Sequence, residues 1–197
     1  TPPLMPARKG ELLPVVSAGA DWLAARQHRS GVFPMPVGPS LAAKDKVGRI
    51  LERMLKEHPE LAVDGWIVEV PGAGGLQFDT GLCGMAMVEA WRATGEERYL
   101  AAARRAADWS VRQALVVNWN YNAFSAGMLA QVAQATGDAG YLAAAAGKAA
   151  IGVLPGQLPG GRWYDPHNAS AVYHNILLRD LRSVVDALPC GKSSERR

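Results

Sequence analysis

Ala93-Thr94-Gly95-Glu96-Glu97-Arg98-Tyr99-Leu100 is answered 42 positions later by Ala135-Thr136-Gly137-Asp138-Ala139-Gly140-Tyr141-Leu142. The flanks recur with it: residues 82–91 map onto 124–133, and the alanine-rich stretch 100–111 maps onto 142–153. A third trace links Ala20-Asp21-Trp22 to Ala107-Asp108-Trp109. In both turns Thr-Gly is followed by Glu or Asp, which suits a helix C-cap set directly against the next helix N-terminus. A unit of roughly 40 residues with two apolar helices around such a turn is a helical hairpin. One hairpin cannot bury its own apolar face, so several must pack side by side. The expected fold class is therefore all-α, an array of antiparallel helical hairpins. A closed ring of six hairpins would need well over 197 residues at ~40 per hairpin, so the array is an open arc or an incomplete ring.

Working outward, three prolines mark residues 1–12 as an N-terminal arm. Apolar periodicity predicts helices over 13–28, 41–58, 80–93, 96–115, 121–135, 138–153 and 168–188. A proline-rich crossing at 32–39 separates the first two, and Pro59 stops the second. Residues 64–78 differ: Trp66-Ile67-Val68-Glu69-Val70 reads as a short strand and Pro71-Gly72-Ala73-Gly74-Gly75 as a turn, giving one β-like excursion. The last helix carries an apolar stripe of Val172, Tyr173, Ile176, Leu177, Leu181, Val184, Val185 and Leu188. Residues 13–188 read as a single domain, and 189–197 as a polar tail.

The composition, 49% hydrophobic and 20% charged, is that of a soluble globular chain. No apolar run reaches the ~18 residues of a membrane span. The net charge of +3 comes without any Lys/Arg cluster interleaved with aromatics, so no nucleic-acid footprint is present. Cys83 and Cys190 offer one possible pairing, which is no disulfide framework, and two thiols alone make no zinc site. The chain opens at Thr1 without a charged-then-apolar segment, a profile shared by mature secreted or periplasmic proteins and by cytoplasmic ones. Gly72-Ala73-Gly74-Gly75 is not a phosphate loop, since no Lys-Ser/Thr follows it. The reading calls for no metal and no cofactor.

The unusual residues gather in equivalent loops. Gly75-Leu76-Gln77-Phe78-Asp79-Thr80-Gly81 enters one helix, Asn118-Trp119-Asn120-Tyr121-Asn122 enters its counterpart one repeat later, and Trp163-Tyr164-Asp165-Pro166-His167-Asn168 enters the last. In a hairpin array equivalent loops lie side by side, so these three are expected to converge on one edge. Together they hold carboxylates, amides, aromatics and a histidine. That mixture suits sugar, because aromatic faces stack on pyranose rings while carboxylates and amides bond hydroxyls. The candidate catalytic residues are Asp79, Asp165 and His167. The candidate substrate-binding residues are Gln77, Asn118, Trp119, Asn120, Tyr121, Trp163, Tyr173 and His174. Structural roles stand beside these: Asp79 as an N-cap, Asn118 and Asn120 as capping or turn residues, Asp165 and His167 as a helix start, and His174 as a core histidine bonded to a carbonyl. Asp21 and Asp108 read as structural, with Trp22 and Trp109 packing between hairpins.

Gln77-Phe78-Asp79-Thr80-Gly81, the turn Ala93–Leu100 and Ala107-Asp108-Trp109 resemble the helical-hairpin repeats of the α/α-toroid carbohydrate-active proteins. That group takes in six-hairpin glycosidases, sugar epimerases and toroid polysaccharide lyases. Asn118-Trp119-Asn120 and Tyr173-His174-Asn175 are similar to segments of toroid lyases related to alginate lyase and heparinase. The resemblance spans residues 13–188 and implies an oligo- or polysaccharide ligand. It implies hydrolysis with Asp79 or Asp165 as acid or base. The second catalytic option is β-elimination, with Tyr173 or Tyr121 moving the proton and Asn118 and His174 on the substrate carboxylate. Where toroid lyases commonly place a histidine, this chain has Trp119 and Asn120. A helical-repeat scaffold that binds a protein is the non-catalytic alternative.

Overall fold

The computed structural model describes residues 9–37, 46–70, 74–164 and 170–189. Among these residues the chain forms seven α-helices: α1 (Lys9–Ala24), α2 (Lys46–Glu57), α3 (Gly75–Thr94), α4 (Glu97–Val111), α5 (Trp119–Thr136), α6 (Ala139–Gly152) and α7 (Ala171–Ala187). Three two-residue strands, β1 (Met35–Pro36), β2 (Ala62–Val63) and β3 (Trp66–Ile67), make an antiparallel sheet in the order β1-β3-β2. Asp64 and Gly65 join β2 to β3, both at positive φ (50° and 79°). That is the conformation a two-residue hairpin loop demands and Asp-Gly readily supplies. No helix of the described residues is long and apolar enough to cross a membrane.

The sequence expectation of one β-like excursion over 64–78 needs correction at both ends. The strand is only Trp66–Ile67, and it pairs back with Met35–Pro36 in the stretch read as a proline crossing. Residues 75–78 are helical, because Gly74 at φ 65° serves as the N-cap of α3 and starts the helix inside the glycine run. The first helix likewise lies earlier than expected, ending at Ala24 rather than near His28.

The threonine and glycine bonds of the turn recur in both copies of the 42-residue repeat. The Thr94 hydroxyl donates to Ala90 O (2.7 Å) and the Thr136 hydroxyl to Val132 O (2.8 Å). Each threonine oxygen then accepts from the next helix's entry, Glu96 N and Asp138 N, both at 3.2 Å. Gly95 and Gly137 close α3 and α5 at φ 76° and 72°, a conformation that glycine adopts without steric cost. A second recurring bond runs between helices. Tyr99 Oη on α4 donates to Asp21 Oδ1 on α1 (3.0 Å), and Tyr141 Oη on α6 donates to Asp108 Oδ1 on α4 (2.6 Å). Asp21 and Asp108 are thus structural, as read. The result is one rank of α1, α4 and α6, and a second rank in which α5 packs between α3 and α7. Trp22 departs from its expected place between hairpins. Its half-exposed ring meets the edge of Trp66 at 6.4 Å and carries the Arg26 guanidinium at 3.7 Å, so it braces the sheet against α1.

Helix α5 is the centre of the core, buried at every residue from 122 to 130. Small residues let its neighbours come close. A Cβ on Gly81 of α3 would stand 2.7 Å from Phe124 Cβ and 2.8 Å from Phe124 C, and backbone cannot yield there. Gly81→Ala is therefore expected to destabilise the protein by about 1–3 kcal/mol through overpacking, against alanine's better helix propensity. Gly147→Ala is the control: nothing lies within 4 Å of that added Cβ, so propensity alone gives a gain of roughly 0.5–1 kcal/mol. Urea melts of the two variants should move in opposite directions.

Candidate functional site

The first turns of α3 and α5 meet through aromatic rings. Phe78 packs edge to face on Phe124 (4.7 Å between centroids) and on Tyr121 (6.0 Å). Asp79 and Tyr173 stand near enough to Tyr121 that both raise the pKa of its hydroxyl, after burial, which is the larger cause. Phe78, Asp79, Tyr121 and Tyr173 are all partly exposed, so this is an accessible edge floored by rings. Three of the expected site residues, Asp79, Tyr121 and Tyr173, are brought together here. Asp165 and His167 lie outside the described residues.

Asp79 is not an N-cap. Helix α3 begins four residues before it, and Gly74 holds the cap position without a side-chain bond. Its carboxyl is pushed above the ordinary carboxylate value by burial, partly offset by a backbone hydrogen bond. One turn on, the Cys83 thiol is pushed up to about 11, first by burial and then by the charge on Asp79. It is a thiol at neutral pH and no nucleophile.

Gln77 faces the other side of α3, since two residues turn a helix by about 200°. It is a buried strut: Oε1 accepts from Ser125 Oγ (2.9 Å) and Lys148 Nζ (3.4 Å), and Nε2 donates to Ala114 O (2.9 Å). Lys148 also donates to Gln113 O (3.0 Å), and burial lowers its pKa to about 8. Gln77 and Gln113 wall a separate cavity of about 470 Å³ with His28, Glu69, Trp109 and Arg112.

The remaining candidates hold the chain together. Asn118 is the N-cap of α5, its Oδ1 accepting from Asn120 N (3.0 Å). Trp119 donates from its indole to Tyr164 O (2.9 Å), tying α5 to the loop before α7. Trp163 offers no free face to a ligand: it is 1% exposed, with its indole N–H on Val153 O (2.9 Å). His174 stacks edge-on against Trp163 at 5.7 Å; its Nε2 accepts from Trp163 N (3.3 Å) while Nδ1 lies 3.1 Å from Ser170 O. A neutral imidazole protonated at Nδ1 satisfies both contacts. Asn120 is fully buried, and neither atom of its amide has a hydrogen-bond partner.

Three polar residues went unread in the sequence. Lys148 stands alone in an alanine run. Asp180 is fully buried on α7, with Oδ1 accepting from Arg179 Nε (2.7 Å) and Oδ2 unpartnered. Its signal was present, because position 180 falls on the helical stripe of Tyr173, Leu177 and Val184. Arg179 lies with its guanidinium carbon 5.6 Å from the Phe124 ring centroid. Comparison with protein families, with curated proteins and with solved structures finds no match to this chain.

Proposed function

We propose that this chain is a carbohydrate-active protein of the α/α-toroid kind, its helix pairs α3/α4 and α5/α6 being antiparallel hairpins of one array. It binds an oligo- or polysaccharide on the edge of Phe78, Asp79, Tyr121 and Tyr173 and cleaves it by hydrolysis. The observation that carries this reading is a half-buried carboxyl of raised pKa set among partly exposed aromatic rings. Such a group keeps its proton nearer to neutral pH and can hand it to a leaving oxygen. The rings supply stacking faces for pyranose units. For the second carboxylate of the pair that hydrolysis requires, the sequence offers Asp165. The Tyr121 hydroxyl, raised by burial and by Asp79, stays protonated and serves as a donor rather than as the base of an elimination.

The test is calorimetric titration of neutral and acidic oligosaccharides into the wild-type protein, with product analysis. Binding is expected, and Tyr121→Ala should weaken it by about tenfold through loss of the ring contact. A hydrolytic product carries a new reducing end, whereas an unsaturated, ultraviolet-absorbing product would move the assignment to β-elimination. Absence of binding to every saccharide would turn the edge into a protein-docking surface of a helical-repeat scaffold.

A further inference from the structure

We propose that Arg179 is the anion-recognising group of this edge, its guanidinium presented by Asp180 to the carboxylate of an acidic sugar. This rests on the carbohydrate reading above and names the ligand class. An arginine this exposed gains little from an ordinary surface ion pair, yet here its partner carboxylate is 0% exposed. The fold makes room for that carboxylate: α5 carries Gly127 opposite it, and a Cβ there would stand 2.8 Å from Asp180 Cβ. Arg179 commits only Nε, at 2.7 Å to Asp180 Oδ1. Among the described residues neither terminal Nη group has a partner. The guanidinium plane is thereby anchored at one edge while its terminal nitrogens stay available, and a planar fork of this kind matches the two oxygens of a carboxylate.

The position fits the ligand edge. Arg179 lies over Phe124, Phe124 touches Phe78, and Phe78 touches Tyr121 beside Asp79. Two rings, Phe124 and Phe78, thus lead from the cation to the proposed acid. A sugar stacked on that floor would bring an oxyanion to the guanidinium while its glycosidic oxygen faces Asp79. Asp180 is a positioning residue here; the contact with ligand belongs to Arg179.

The Arg179 Nε–H resonance, held on a buried carboxylate, is the probe. Three titrations are compared by ¹⁵N spectroscopy: methyl galacturonoside, its neutral counterpart methyl galactoside, and sodium sulfate against sodium chloride at matched ionic strength. The wild-type protein is expected to prefer the uronoside by about tenfold or more, with the Nε–H signal shifting. Arg179→Gln should erase that preference, and Arg179→Lys should keep only a minor part, since an ammonium has no fork. A response to sulfate without a response to either sugar supports an anion site for a free oxyanion and removes the carbohydrate reading. Equal binding of uronoside and galactoside, or an unchanged preference in Arg179→Gln, overturns the proposal and leaves a neutral-saccharide edge standing. Silence in all three titrations overturns it outright. Should Arg179→Gln fold poorly, the wild-type titrations decide alone.

Discussion

Asp79→Asn is expected to lower turnover of the cleaved oligosaccharide by about 10²–10⁴-fold, the range lost when a general acid or base is removed. The fold should not suffer. Asp79 lies past the start of α3 and caps nothing, so the amide forfeits no helix-end bond. Burial holds the carboxyl pKa above its ordinary value, which means the folded state binds this proton more tightly than the unfolded chain does. The stability tied to that proton is complete below the unfolded pKa and is lost as pH rises through the folded one. At neutral pH an uncharged amide removes that loss, so the melting temperature should hold or rise. Initial rates and thermal melts on the same preparation check both halves. Full activity in Asp79→Asn would take this residue out of the chemistry.

The largest stability effect is expected at Asp180. Burial raises its carboxyl from 3.8 to about 6, with Arg179 opposing the rise through its hydrogen bond and charge. The sign is that of Asp79: protonation favours the folded state, so the contribution is greatest below the unfolded pKa and disappears as pH climbs through about 6. At about 1.4 kcal/mol per pH unit, the gap between the two pKa values corresponds to about 3 kcal/mol lost by pH 7.5. Asp180→Asn keeps an oxygen for Arg179 Nε and carries no charge to bury. It should therefore be about 2–3 kcal/mol more stable than wild type at pH 7.5 and no more stable at pH 3.5. Urea midpoints measured across that range should diverge above pH 4, and parallel pH profiles for the two proteins would contradict this account.

Helices α3 to α6 were legible because their signal is local: a repeated Ala-Thr-Gly turn and apolar spacing on either side. Strand β3 was legible within Trp66–Val70, but β1 was not, because Met35–Pro36 becomes a strand only through partners 30 and 32 positions away at Trp66–Ile67. The start of α3 was misplaced for a related reason. Five residues of Pro-Gly-Ala-Gly-Gly read as a turn, yet one of them, Gly74, takes the left-handed conformation that lets the helix begin there. Residue type also named aromatics without telling which face survives packing: Tyr121 keeps part of its surface, while Trp163 is spent on Val153 and His174. Asp180 carries a charge that by residue type reads as surface, and its place on the apolar stripe of α7 is what buries it.

The tyrosine–aspartate bond that links the first rank of helices is a polar connector with a socket and a plug. Helix α4 has both, Tyr99 toward α1 and Asp108 toward α6. Such a link is directional and is not consumed by being made once. It specifies the order of the helices as well as their attraction, because α6 can follow α4 but cannot accept a further tyrosine in the same way: position 150, the repeat counterpart of Asp108, is Ala150. A segment spanning residues 97–138, duplicated in place, would bring its own plug and its own socket. The tyrosine–aspartate link thus occurs twice along α1, α4 and α6, and at α6 its socket is missing, a methyl group standing where a carboxylate would have been.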